Sequence, residues 1–126
     1  MLGPFASTHA IASFETVTSF SDASVCFFGH SHIPSVFSLE PHGIRVDVVR
    51  GDRVRMRLKK NCRYLINPGS IGQPRDRNPA ASYALYDGIQ RVVTFERASY
   101  DVEKTRDKIH RAGLPGMLGD RLVIGA

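Results

Sequence analysis

No run of about 18 or more apolar residues occurs in this sequence, which argues against a membrane-spanning helix. Met1-Leu2-Gly3-Pro4 opens without the basic stretch and apolar core of a secretion signal, so no signal peptide and a cytoplasmic address are expected. Cysteine is scarce. Cys26 and Cys62 each sit in an apolar, strand-like run, with no C-x-x-C spacing. Neither a disulfide framework nor a thiolate metal site has support, and both read as small buried hydrophobes. No internal repeat or low-complexity segment occurs. What is present is ordinary: 126 residues, 42% hydrophobic and 23% charged, which is one globular domain's worth of chain.

Acidic residues are the minority, and the formal net charge is +5. The excess is local. Residues 45–63 carry eight Lys and Arg against Asp47 and Asp52, and the remainder is close to neutral. A stripe of that kind suits an anionic partner, either a phosphorylated substrate or a nucleic acid.

The chain is organised around Gly29-His30-Ser31-His32, which follows the apolar run Val25-Cys26-Phe27-Phe28. Four apolar residues in a row read as a short strand covered on both faces. Such sheets place their chemistry just past the carboxyl ends of their strands. His30 and His32 can point ring nitrogens at one small region, and neutral imidazole is the commonest protein metal ligand. The other reading is a pair of surface or hydrogen-bonded histidines. Two ligands are too few for a catalytic zinc site, which takes about three from protein, so others must come from elsewhere. A doubly covered strand also needs a partner on each side. No second such run and no clear βαβ unit precedes it here, so those partners are expected outside this chain.

Elsewhere the patterning is regular. Residues 5–20 carry apolar side chains at Phe5, Ala6, Ala10, Ile11, Phe14, Val17 and Phe20, which predicts an amphipathic helix. Val36 to Leu39 reads as a short strand. Ile44-Val46-Val48 and Val54-Met56-Leu58 alternate with polar residues around Gly51-Asp52, which predicts an antiparallel hairpin with a cationic outer face. Tyr64-Leu65-Ile66 is a further strand. Residues 82–86 and 91–96 predict a second hairpin around Asp87-Gly88. Asp101 is placed to cap a helix running through Ala112, with Gly113 as its stop, and Pro115 opens a last helical turn to about Leu122.

The second stretch with chemistry is Asn67-Pro68-Gly69-Ser70-Ile71-Gly72-Gln73-Pro74-Arg75. Gly69 and Gly72 permit positive φ, and amides in such a loop can cradle an anion. The loop either contacts substrate through Asn67, Gly69 and Ser70 or supports the His30/His32 turn. Arg75 can grip a phosphate bidentately or pair with Asp76 or another surface acid.

Together these two runs resemble the C-terminal part of a bacterial calcineurin-like metallophosphoesterase. Gly29-His30-Ser31-His32 matches that family's G-H-[ST]-H motif, and Asn67 to Arg75 its N-P-G-S-x-G-x-P-R segment. Tyr100-Asp101-Val102-Glu103 and Ala112-Gly113-Leu114-Pro115 are similar to its C-terminal end. The resemblance covers residues 25–126 best. It implies an α/β fold, α+β as an isolated piece: the C-terminal half of a two-sheet sandwich with mostly antiparallel strands and flanking helices, over residues 1–126. It implies hydrolysis of a phosphomonoester or phosphodiester at two divalent ions (Mn, Fe or Zn), with His30 and His32 as metal ligands. The substrate would be a phosphorylated small molecule or a nucleotide. The family's earlier motifs D-x-H, G-D-x-x-D and G-N-H-[DE] are absent from this chain, and with them the catalytic proton donor. The resemblance therefore implies a missing N-terminal half, or another subunit, to complete the site. Two readings compete with it: a basic nucleic-acid-binding module and an inactive fragment.

Overall fold

The computed structural model describes residues 4–126, and side chains within the first helix from His9 onward. Ten elements follow one another: α1 (Pro4–Phe20), β1 (Val25–Phe27), β2 (Ser35–Glu40), β3 (Gly43–Val48), β4 (Arg53–Arg57), β5 (Arg63–Asn67), β6 (Ala81–Asp87), β7 (Val92–Ala98), α2 (Val102–Arg111) and α3 (Met117–Ile124). The strands form two sheets, ordered β1-β5-β2-β3 and β4-β7-β6. All pairings are antiparallel except β1 with β5. The fold is mixed α+β, as expected. None of the described helices is long and apolar enough to cross a membrane.

The core lies where the inner faces of the sheets meet. Val36 and Ile66 come from one sheet, Val93 and Phe95 from the other, and Leu58 and Cys62 close it from the intervening loop. Cys62 is buried as expected, whereas Cys26 is half-buried, and both thiols are free. Tyr64 is buried against this cluster but keeps its hydroxyl bonded to the Lys59 amide at 2.9 Å. Burial pushes the phenol above its ordinary pKa, although the amide donating to its oxygen works the other way.

Three sequence expectations need correction. Val25–Phe27 is not covered on both faces: Phe27 is 43% exposed, and β1 is an edge strand among the described residues. It does have one partner inside the chain. β5 runs parallel to it, pairing Val25 with Tyr64 and Phe27 with Ile66. Tyr64-Leu65-Ile66 is itself the doubly buried run. Second, Ile44–Val48 and Val54–Leu58 do not form a hairpin. β3 pairs with β2, and β4 crosses to the other sheet to pair with β7. The alternation of β4 is as expected, with Arg53, Arg55 and Arg57 exposed. A period of two fixes which side chains share a face but not which strand lies alongside. The basic stripe is thereby split between two sheets. Third, only part of the helical stripe of α1 is buried. Ala10 and Phe14 are covered, but Ile11 and Phe20 are exposed, and the Phe5 and Ala6 side chains lie outside the described residues. Ser13, Thr16 and Thr18 bond back to carbonyls four residues earlier, which lets these poor helix formers sit inside the helix.

α2 forms as its end signals predict, whereas α3 begins at Met117, beyond Pro115, and runs on to Ile124. Asp101 accepts the Lys104 amide at 2.9 Å and caps α2. Gly113 takes a φ of 69° just past its end. Gly125 closes α3 in the same left-handed conformation.

Candidate functional site

Because β1 and β5 are parallel, their carboxyl ends leave the sheet at the same edge. β1 delivers Gly29-His30-Ser31-His32 there, and β5 delivers Asn67-Pro68-Gly69-Ser70. The two runs that carry the resemblance, far apart in sequence, are thus neighbours in space. His30 and His32 both adopt positive φ, 84° and 61°. Such non-glycine conformations cost of order 1–3 kcal/mol each and persist only where the surroundings impose them.

Those surroundings are visible. Asn67 is completely buried. Its Nδ2 donates to the Gly29 carbonyl at 3.2 Å and to the Ser31 hydroxyl at 2.9 Å, while its Oδ1 accepts the Gly69 amide at 2.9 Å. One amide side chain therefore ties both loops together. Ser70 Oγ accepts the Gln73 amide at 2.9 Å, turning the chain toward His32. The Gln73 carbonyl lies 2.8 Å from His32 Nδ1. A carbonyl only accepts, so Nδ1 carries the proton and Nε2 keeps a free lone pair in the neutral ring. This is the arrangement by which outer-shell groups orient a metal-ligating histidine. Backbone contacts complete the frame: the Arg75 amide donates to the His32 carbonyl at 3.3 Å.

The described hydrogen bonds of Asn67 and Ser70 are therefore structural ones. Gly69 has a φ of 91°, and a Cβ there would stand 2.6 Å from Ser82 Oγ and 2.9 Å from Pro34 Cγ. Gly72 does not use the positive φ that the sequence would allow it. Gly69→Ala is expected to lower stability by about 2–4 kcal/mol, combining an unfavourable backbone conformation with overpacking. Chemical denaturation measures it, and a loss below about 1 kcal/mol would show that the loop gives way. Arg75 is exposed and bonds Gln73 Oε1 at 2.7 Å. Asp76 does not pair with Arg75. It pairs with Arg97 on β7.

His30 and His32 open onto a cleft of about 530 Å³, also lined by Phe27, Ile71, Ser82 and Tyr83. Sequence reasoning missed the last two. Ser82 donates to the Pro68 carbonyl at 2.7 Å and joins β6 to the loop. Tyr83 donates its hydroxyl to Glu96 at 2.8 Å, and this bond, then burial, raises its pKa above the ordinary value. The phenol stays neutral and a donor through the physiological range. Nothing in their local sequence marks either residue. Among the described residues no group of three or more His, Cys, Asp or Glu side chains is placed to hold a metal. The two imidazoles fit a metal site as two ligands of a larger set.

No protein-family model matches the chain. The chain is 39% identical over 106 residues to the uncharacterized protein MJ0912 of Methanocaldococcus jannaschii, a match covering 84% of this chain and 41% of that protein. It also superposes on the crystal structure of the metallophosphoesterase from Sphaerobacter thermophilus with a TM-score of 0.76 and 33% identity, over 92% of this chain and 48% of that one. The chain therefore spans less than half the length of each of these relatives. Two mostly antiparallel sheets, with paired histidine and glycine loops at one edge, make this a metallophosphoesterase-like fold.

Proposed function

We propose that this chain supplies part of the active site of a calcineurin-like, metal-dependent phosphoesterase, with His30 and His32 as metal ligands. The observation that carries the reading is the 2.8 Å contact between His32 Nδ1 and the Gln73 carbonyl, which leaves the lone pair of Nε2 free on a histidine that lines the cleft. Divalent ions bound there (Mn, Fe or Zn) would supply electrophilic charge to a phosphate ester and acidify an attacking water. The chain's own residues hold the His32 imidazole in one tautomer, tie the loop backbone through Asn67, and offer Arg75 as an exposed guanidinium for a phosphate oxygen. The substrate is a phosphorylated small molecule or a nucleotide.

The remaining ligands, carboxylates above all, come from polypeptide outside this chain: an N-terminal half or another subunit. Two observations support this. The described residues offer no third ligand beside the two histidines, and the similar metallophosphoesterase is about twice as long.

Metal content after Mn²⁺ loading and desalting tests the proposal, with the His30→Ala/His32→Ala double variant as control. Retention well below one ion per chain alone, rising toward two when the complementary polypeptide is added and lost in the variant, is the expected result. Equal retention by chain and variant would overturn it and favour an inactive fragment.

A further inference from the structure

The basic stripe plays no part in the site just described. Its β4 portion lies on the outer face of the second sheet. Register shows what shares that face: Arg53 opposes Glu96, Arg55 opposes Thr94, and Arg57 opposes Val92. On the other side of β7, Leu85 and Asp87 lie opposite Thr94 and Val92. Alternate residues of a strand are about 6.6–6.8 Å apart, so the three arginines form an even row. Lys59 and Lys60 extend it beyond the strand end, where Arg57, Lys59, Lys60 and Arg91 line a second hollow of about 550 Å³. Gln90 lines this hollow and also a smaller one of about 260 Å³ beside Arg53 and Arg55, so the two adjoin on the same face.

Local acids neutralise only part of this charge. Arg53 pairs with Glu96 at 3.2 Å and Lys59 with Glu40 at 3.2 Å. Arg91 is spent on the Ser24 hydroxyl and the Lys59 carbonyl. Asp87, the other acid on the face, is occupied by the Ile89 and Gln90 amides. Arg55 bonds only the neutral Gln90 side chain, at 3.3 Å. Arg57 and Lys60 have no acidic partner among the described residues. Arg55, Arg57 and Lys60, along β4 and the turn after it, are thus exposed cations without an ion-pair partner among the described residues. A single phosphate would satisfy one end of such a row. A linear polyanion would satisfy all of it.

We propose that this face binds the phosphate backbone of duplex nucleic acid. Charge complementarity along a row is what a regular phosphate array needs. The aromatic side chain on this face is the half-buried Tyr83, and one ring does not make the succession of stacking platforms that single strands need. Binding is sequence-independent, because phosphate contacts carry no base information. The inference does not rest on the metal-site reading.

The test is fluorescence anisotropy of a labelled random-sequence duplex titrated with the full chain at several salt concentrations. A dissociation constant in the range of about 10⁻⁴–10⁻⁶ M is expected at low salt. Three neutralised phosphates predict a log–log salt slope of about −2.7. Arg55→Gln/Arg57→Gln should weaken binding at least about tenfold and flatten the slope toward about −0.9. Both positions are exposed, and circular dichroism confirms that the variant is folded. Arg45→Gln, on the other sheet and already paired with Asp47, should leave binding unchanged. No saturable binding, an unchanged slope in the double variant, or an equal effect of Arg45→Gln would overturn the proposal. So would polyglutamate binding as tightly as the duplex, which would make the partner an acidic protein.

Discussion

His32→Ala is expected to lower the Mn²⁺ affinity of the completed site by more than about 100-fold and to remove phosphoesterase turnover with it. The magnitude follows from comparison with weaker lesions. Loss of an outer-shell partner costs about 10–100-fold in metal affinity or activity, and loss of the ligand itself must exceed that. His30→Ala should behave alike. The informative contrast is Gln73→Ala. His32 Nδ1 meets the Gln73 backbone carbonyl, not its side chain, so this substitution keeps the orienting contact. Its affinity should stay within a few-fold of the parent. Asn67→Ala should fall between the two. It removes the amide that joins Gly29, Ser31 and Gly69, and each buried group left unsatisfied costs about 1–3 kcal/mol. Calorimetric titration with Mn²⁺, together with turnover of an aryl phosphodiester by the completed assembly, separates the three. Turnover surviving in His32→Ala would remove this histidine from the chemistry.

That ordering of effects could not have been written from the sequence, although much else could. Strand alternation in β4 was legible because Arg53, Arg55 and Arg57 face water and the period is two, and the β6–β7 hairpin was legible from the turn residues Asp87-Gly88. The α2 boundaries were legible because Asp101 and Gly113 satisfy helix ends locally. What escaped was pairing at a distance. β5 is the parallel neighbour of β1, but three apolar residues do not say which strand they adjoin. Gly51-Asp52 marks a reversal of the chain and reads as a hairpin turn, whereas the strand after it joins the other sheet. The site divides in the same way. His30 and His32 stood out by type and spacing. Asn67 stood out only as part of a run, and its threefold bonding is a property of the folded loop. The Gln73 carbonyl, Ser82 and Tyr83 had no signal at all. A backbone acceptor has no residue type, and a serine on a strand of the other sheet acquires its role only when β6 packs beside the loop.

The same limit explains Asp76, and it leads to the largest stability effect expected here. Adjacent in sequence to Arg75, Asp76 reads as one of the acids open to it, yet Asp76 pairs with Arg97 from β7. Both side chains are nearly covered, at 5% exposure for Arg97 and 12% for Asp76. Arg97 Nη1 also donates to the Ala80 carbonyl at 3.1 Å. The guanidinium therefore pins the long segment between β5 and β6 at two points. Arg97→Ala is expected to destabilise the chain by about 3–5 kcal/mol, because it leaves the Asp76 carboxylate buried without its counter-charge. For a chain of this length the melting temperature should fall by roughly 10–20 °C. Replacing both partners together, Asp76→Leu/Arg97→Met, should cost far less, because no stranded charge remains. The comparison of single and double variants thus distinguishes a desolvated pair from a solvated one. If Arg97→Ala costs less than about 1 kcal/mol, water reaches the pair. The segment so anchored contains Gln73, whose carbonyl sets the His32 tautomer. Measured well below its own melting transition, Arg97→Ala should therefore also weaken Mn²⁺ binding, by about the 10–100-fold of a lost outer-shell contact. Stability and metal affinity falling together in the single variant, and recovering together in the double, would tie the buried ion pair to the histidine it steadies.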